Sequence, residues 1–245
     1  MCSFSSLDSR QYKVRKVVID AGHGGKDPGK LGSNSKEKDV ALSIALKVGE
    51  YIEKYLDNVE VIYTRKDDSF VELIDRASIA NKNDADLFIS IHANGHNTSR
   101  PAGTETYVMG NHVSQANLDV AKRENSVILL EENYEEKYEG FDPNAPDSHI
   151  LFSLYQSAYL ESSLMMARNV ESQFKNRVGR KSRGVKQAGF IVLYKTSMPS
   201  VLIELGFMSN QEEEKYLNSE EGQTYMASGI FRAFRDYKEE IESMN

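Results

Sequence analysis

The chain has 245 residues, 27% charged and 40% hydrophobic, with a formal net charge of −7. Sixteen glycines and five prolines are too few for a collagen-like or low-complexity chain, and the single cysteine, Cys2, excludes an internal disulfide framework. There is no basic stripe of the kind that phosphate-backbone binding needs, which argues against a nucleic-acid partner, and no apolar run reaches the ~18 residues of a membrane span.

The first 13 residues, MCSFSSLDSRQYK, lack an apolar stretch and read as a disordered polar tail rather than a leader peptide. Val14–Asp20 (VRKVVID) is a β-branched run and is expected to be the first strand; the glycine-rich AGHGG, Ala21 to Gly25, follows it at once. From Glu37 to Leu56, Val40, Ile44, Val48, Tyr51 and Tyr55 recur at helical spacing, with Asn34 or Ser35 available as a cap. Strands are expected at Val59–Thr64, Asp86–His92, Thr104–Met109, Phe190–Tyr194 and Ser200–Leu205. Helices are expected at Glu72–Lys82, Gln115–Leu130, His149–Phe174 and Gly222–Glu240. Strands alternating with helices predict one α/β domain from residue 14 to 245: a mostly parallel twisted sheet with helices on both faces. An acidic insertion, 131–148, carries seven acids and one lysine. Asp142-Pro143 and Ala145-Pro146 break any helix there, so the stretch reads as a solvated loop.

In open α/β sheets the ligand site lies beyond the carboxyl ends of the strands. His23 follows the first expected strand, His92 ends the strand Asp86–His92, and Glu204 sits in Ser200–Leu205. Glu37 opens the first helix, where a side chain leans back toward the same rim. Two histidines and one carboxylate make a three-ligand zinc site with an open position, and a further carboxylate can serve as general base. Each residue alone has a blander reading, as a satisfied polar group or a first-turn acid that suits the helix dipole. Glu204 is the hardest to dismiss, because burying a carboxylate without a partner within VLIELGF costs several kcal/mol. Asn94, two residues past His92, is expected at the rim as a substrate contact. Arg65 and Arg76 read as structural ion-pair residues. His96, His112 and His149 are the remaining histidines that could replace a ligand, and His96 lies in a polar turn.

The strings VVIDAGHGGKDPG, EKDVALSIALKV, IYTRKDDSFVELIDRASIANKNDADLFISIHAN and SVLIELGFMSN, in that order, resemble the zinc-dependent N-acetylmuramoyl-L-alanine amidases over most of the chain. The resemblance implies one zinc ion per chain held by His23, Glu37 and His92, with Glu204 assisting catalysis. It also implies peptidoglycan as substrate, cleaved between N-acetylmuramic acid and the L-alanine of the stem peptide. That substrate requires an exported protein, periplasmic or wall-associated, whose leader has been removed. Some members carry an inserted element that covers the metal until an activator moves it, so an activator acting on 131–166 is expected. A zinc carboxypeptidase-type peptidase and a non-catalytic peptidoglycan-binding module are the alternatives. The first should show an arginine placed to hold a terminal carboxylate, and the second should have lost a ligand or the base.

Overall fold

The computed structural model describes residues 12–111, 114–145, 148 and 158–244. Of the expected N-terminal tail, residues 1–11 lie outside the described residues, whereas the Tyr12 hydroxyl donates to Asp86 at 3.0 Å. The elements run β1 (Lys16–Ala21), α1 (Glu37–Tyr55), β2 (Glu60–Tyr63), α2 (Leu73–Lys82), β3 (Leu87–Asn94), β4 (Thr104–Met109) and α3 (Gln115–Asn125). They continue with α4 (Leu160–Gln173), β5 (Ser182–Ala188), β6 (Ser200–Phe207), α5 (Gln211–Leu217) and α6 (Glu220–Ser243). The sheet order is β2-β1-β3-β6-β4-β5. All neighbours pair in parallel except β4 with β6, where the direction reverses.

Strand alternation sorts the residues onto two faces. Val17, Ile19, Ile89, Ile91, Val201 and Ile203 pack on one face against Val40, Ile44 and Val48 of α1, Val170 of α4 and Phe234 of α6. Val18, Phe88, Tyr107 and Leu202 face the other way, toward α2, α3 and the turn at Ile191–Tyr194. Because both faces are covered, β3 and β6 are buried along their whole length, which accounts for their near-continuous apolar runs. On the second face several strand positions are polar instead: Asp20, Ser90, His92, Glu204 and Glu105. Register aligns them, with Asp20 opposite Ser90, His92 opposite Glu204, and Glu204 opposite Glu105.

Four sequence expectations need correction. Phe190–Tyr194 is not a strand; Ile191–Tyr194 forms one helical turn, and a short buried apolar run reads alike in either conformation. The strand in that region is β5, SRGVKQA, a polar edge strand that carries almost no apolar signal. Neither Asn34 nor Ser35 caps α1; Lys36 holds the N-cap position without a side-chain bond, and the Ser35 hydroxyl donates to Glu214. The acidic stretch is solvated only in part: Glu132, Glu135, Glu136 and Glu139 are exposed, but Tyr134–Lys137 forms a helical turn and Glu131, Tyr138 and Phe141 are buried. The helix expected from His149 is seen from Leu160 onward; residues 149–157 lie outside the described residues. The expected helix Gln115–Leu130 is α-helical to Asn125 and continues as a 3-10 strap, Ser126–Leu130.

Candidate metal centre

The loop after β1 is shaped by a sharp backbone and two buried arginines. His23 adopts φ 60°, a left-handed conformation that costs an L residue of order 1 kcal/mol or more. Gly22 is required beside it, because a Cβ there would meet the His92 ring at 2.5 Å. Arg76 donates to Asp20 at 2.8 Å and to the carbonyls of Ala21 and His23. Arg65 donates to the carbonyls of Ala21, Gly22 and Lys38. Of these two arginines, Arg76 pairs with an acid, whereas Arg65 works by tying carbonyls together.

This loop, the first turn of α1 and the end of β3 bring His23, Glu37 and His92 together. His23 Nε2 lies 3.0 Å from Glu37 Oε1, His92 Nδ1 lies 3.1 Å from the same oxygen, and the two ring nitrogens are 3.2 Å apart. Glu37 is fixed by the amides of Ala93 and Lys30 at 2.9 and 2.7 Å. Asp27 Oδ2 sits 2.6 Å from His23 Nδ1, which would hold a proton on that nitrogen and leave Nε2 as the one to face a metal.

A fourth group, absent from the sequence-derived set, completes the cluster. Glu124 of α3 places Oε2 3.3 Å from His23 Nε2 and 3.1 Å from His92 Nδ1. The four donor atoms lie within 4.8 Å of one another and all four residues are buried. Five of the donor–donor distances fall between 3.0 and 3.3 Å, close enough for these atoms to share one small divalent cation. Glu124 Oε2 is fully enclosed and, among the described residues, no donor is aligned on it. Buried imidazoles and carboxylates around an orphaned oxygen fit a divalent cation that accepts N and O ligands.

Charge balance agrees. Burial alone would lower the imidazole pKa values, but Glu37, Asp27 and Glu124 overcome it at His23, which is raised well above its ordinary value. His92 rises to about 9 against the same burial, through Glu124 and Glu37. Burial would raise Glu37, yet His23 brings it down to about 2. The carboxylates therefore demand positive charge at this point, which protons or a metal can supply.

Glu204 is fully buried, one strand over from His92, and among the described residues neither carboxylate oxygen has a hydrogen-bond donor. The nearest cation among the described residues is Arg123 Nη2 at 3.8 Å. Burial and the neighbouring Glu124 and Glu37 push its pKa well up. Asn94, at the end of β3, is buried; its Oδ1 accepts from Arg123 and its Nδ2 donates to Glu105. His96 is not in the cluster, being exposed and bonded to Thr98; His112 and His149 lie outside the described residues. A groove of ≈ 500 Å³ opens beside the cluster, lined by His23, Glu37, Glu124, Leu31, Leu129 and Leu130.

The model of the N-acetylmuramoyl-L-alanine amidase family matches residues 17–236. The chain belongs to that family. It is 35% identical over 227 residues to the amidase AmiA of Escherichia coli, across 91% of this chain and 76% of that protein. The crystal structure of an N-acetylmuramoyl-L-alanine amidase from Clostridium difficile 630 superposes with a TM-score of 0.69, at 29% identity, covering 92% of this chain and 97% of that one. The Clostridioides difficile CwlD amidase, solved in complex with the GerS lipoprotein, matches at 26% identity with a TM-score of 0.67 over 91% and 98% of the two chains. No helix among the described residues is long and apolar enough to cross a membrane.

Sequence reading missed Glu124, although a signal was there. Asn117, Leu118, Ala121, Glu124 and Asn125 form a buried stripe of α3 at helical spacing, with Leu118 and Ala121 as its apolar members, so Glu124 falls on the face that these two turn inward. The same test applied to VLIELGF does identify Glu204.

Proposed function

We propose that this amidase is a zinc-dependent hydrolase that cleaves the bond between N-acetylmuramic acid and the L-alanine of peptidoglycan stem peptides. The observation that carries the reading is the cluster of His23, Glu37, His92 and Glu124 beside a buried Glu204 that has no hydrogen-bond partner. In this reading His23, Glu37 and His92 hold the ion. Zinc bound there supplies a Lewis acid that polarises the amide carbonyl and makes water acidic near neutrality. Glu204 takes the proton from the attacking water and returns it to the leaving amine nitrogen of L-alanine, so one carboxyl serves both halves of the reaction. Asn94 contacts the substrate at the rim.

Glu124 then occupies the position that water and substrate need. Arg123 beside it covers Glu204 and Asn94. We therefore read α3 as a self-inhibiting element and infer an activator protein that displaces it. The element that reaches the cluster comes from upstream of residues 131–166, and the acidic stretch acts as its anchor. The known complex of CwlD with a lipoprotein supports a protein partner for this fold. Because the substrate polymer lies outside the cytoplasmic membrane, we place the activity in the periplasm or cell wall.

Equilibrium dialysis with zinc tests the assignment. One equivalent should bind to the parent and to Glu204→Gln, while His23→Ala should bind ~10–100-fold more weakly or not at all. Equal zinc affinity in His23→Ala and the parent would remove His23 from the site.

A further inference from the structure

Glu105 on β4 is buried and is directly opposite Glu204 in the sheet. Its Oε1 accepts from Arg183 Nε at 2.5 Å and from Lys186 Nζ at 2.6 Å, both on β5. Its Oε2 accepts from the Tyr107 hydroxyl at 2.7 Å and from Asn94 Nδ2 at 3.2 Å. Two cations thus share one carboxylate oxygen, and the group as a whole carries an excess positive charge. Burial would raise the Glu105 pKa, but Lys186, Tyr107 and Arg183 bring it below the ordinary range, so it stays ionised.

The cations are not sealed in. The Arg183 side chain is 34% exposed and that of Lys186 20%. Among the described residues Arg183 donates through Nε alone, leaving both terminal nitrogens for a ligand. Its guanidinium rests over the Phe207 ring at 5.2 Å, which fixes the plane that those nitrogens present.

The position relative to the cluster is set by the sheet. His92, Glu204 and Glu105 are successive register partners on β3, β6 and β4, and neighbouring strands are about 4.8 Å apart. Glu105 therefore lies about 10 Å from His92, the reach of about three residues of extended peptide, and its two cations reach it from β5, the next strand out. The path between them is polar throughout, from Glu204 through Asn94 to Glu105. α3 lies along it, with Arg123 on Asn94 and, at the other end, Asn117 Nδ2 donating to Gln187 of β5. Displacing α3 would uncover a polar channel from the cluster to the cations.

We propose that Arg183 and Lys186, oriented by Glu105, form a subsite for a free carboxylate of the stem peptide, two or three residues beyond the scissile amide. This rests on the amidase reading above. A planar guanidinium edge beside a lysine suits a carboxylate and distinguishes it from the corresponding carboxamide. The subsite would make this chain selective for stem peptides whose carboxylates are unmodified.

The test uses the tripeptide L-alanyl-γ-D-glutamyl-L-lysine and its form amidated at the glutamate carboxylate. Calorimetry measures binding to the zinc-loaded full chain and to its Glu124→Ala variant, and kcat and KM are read on the matching muropeptides. The expected result is at least ~tenfold tighter binding of the free acid, with the difference in KM rather than kcat. That ratio should fall to about one in Arg183→Gln/Lys186→Gln and be partly restored in Arg183→Lys/Lys186→Arg. Equal binding of the two peptides, no binding of either, or a ratio unchanged in the double variant would overturn the subsite. Cleavage without carboxylate preference would leave the amidase reading intact and remove the subsite. Preference in binding with no cleavage would do the reverse.

Discussion

Glu124 and Glu204 are both buried carboxylates with an oxygen that no donor reaches, and in this reading they play opposite roles. Glu204 sits on a strand in the middle of the sheet, where the backbone fixes it. Glu124 sits on α3, a helix whose mean position depends on its packing. A carboxylate on a movable element that completes a metal sphere is a plug. Glu124→Ala should therefore retain zinc through the three remaining ligands and raise turnover of purified cell wall by ~tenfold or more, as expected when about 1.4 kcal/mol of closing energy is lost. Turnover equal to or below that of the parent would show that Glu124 does not block. These residues were unequally legible. His23, His92 and Glu204 follow or end strong strand signals, and Glu37 opens a strongly periodic helix. Glu124 lies inside a helix whose polar composition hides its buried stripe, and nothing in its local sequence says that this stripe faces the rim of the sheet.

At the scale of elements, α3 is held at both ends. Upstream, Asn117 reaches β5. Downstream, the strap Ser126–Leu130 is tied by Lys26, whose Nζ donates to the Leu130 carbonyl at 2.5 Å. The acidic stretch then docks on the N-terminus of α2, which has no side-chain cap of its own. Glu131 accepts from the Leu73 amide at 2.9 Å, the Tyr138 hydroxyl accepts from the Ile74 amide at 3.2 Å, and that hydroxyl donates to Glu131 at 2.6 Å. Two of the amides that a helix start leaves unpaired are thus satisfied from 58 and 64 residues away. This explains why a segment of seven acids is not a free loop: one acid and one tyrosine serve as a remote cap. Composition could not reveal it, because the partner is the end of a different helix. Tyr138→Phe removes the hydroxyl, weakens the clamp by about 1 kcal/mol and should raise basal turnover a few-fold without altering zinc content. Unchanged basal turnover, with melting lowered all the same, would make the clamp a purely structural feature.

At the scale of the whole molecule, the rim that carries the cluster is braced by a buried ion pair. Asp20 accepts from Arg76, Thr64 and Ser90 at 2.8, 2.6 and 2.6 Å, which links β1, α2 and β3 beneath the His23 loop. Burial would raise the Asp20 pKa, but Arg76, Ser90 and Thr64 lower it on balance. A depressed folded-state pKa stabilises the fold above the unfolded value of about 3.9, and that stability is lost as the pH falls below it. Asp20→Asn leaves the Arg76 charge buried and unpaired, at a cost of about 3–5 kcal/mol near neutrality. Urea midpoints measured from pH 7 down to pH 3 should show a gap between parent and variant that holds to about pH 4 and narrows below it. A gap independent of pH would mean that the Asp20 charge is not what stabilises the rim. The sheet as a whole was legible because its central strands are apolar on both faces. Its edge strand β5 was not, since an edge that holds Arg183 and Lys186 at a polar rim has no apolar run to show.

The central claim is a metal-dependent cut between the glycan and the first residue of the stem peptide. Mass spectrometry of purified peptidoglycan digested with the Glu124→Ala chain, with and without a chelator, tests it most directly. Free stem peptides that begin at L-alanine should appear, and only when metal is present. Intact muropeptides trimmed at their peptide ends, or the same release in excess chelator, would contradict it.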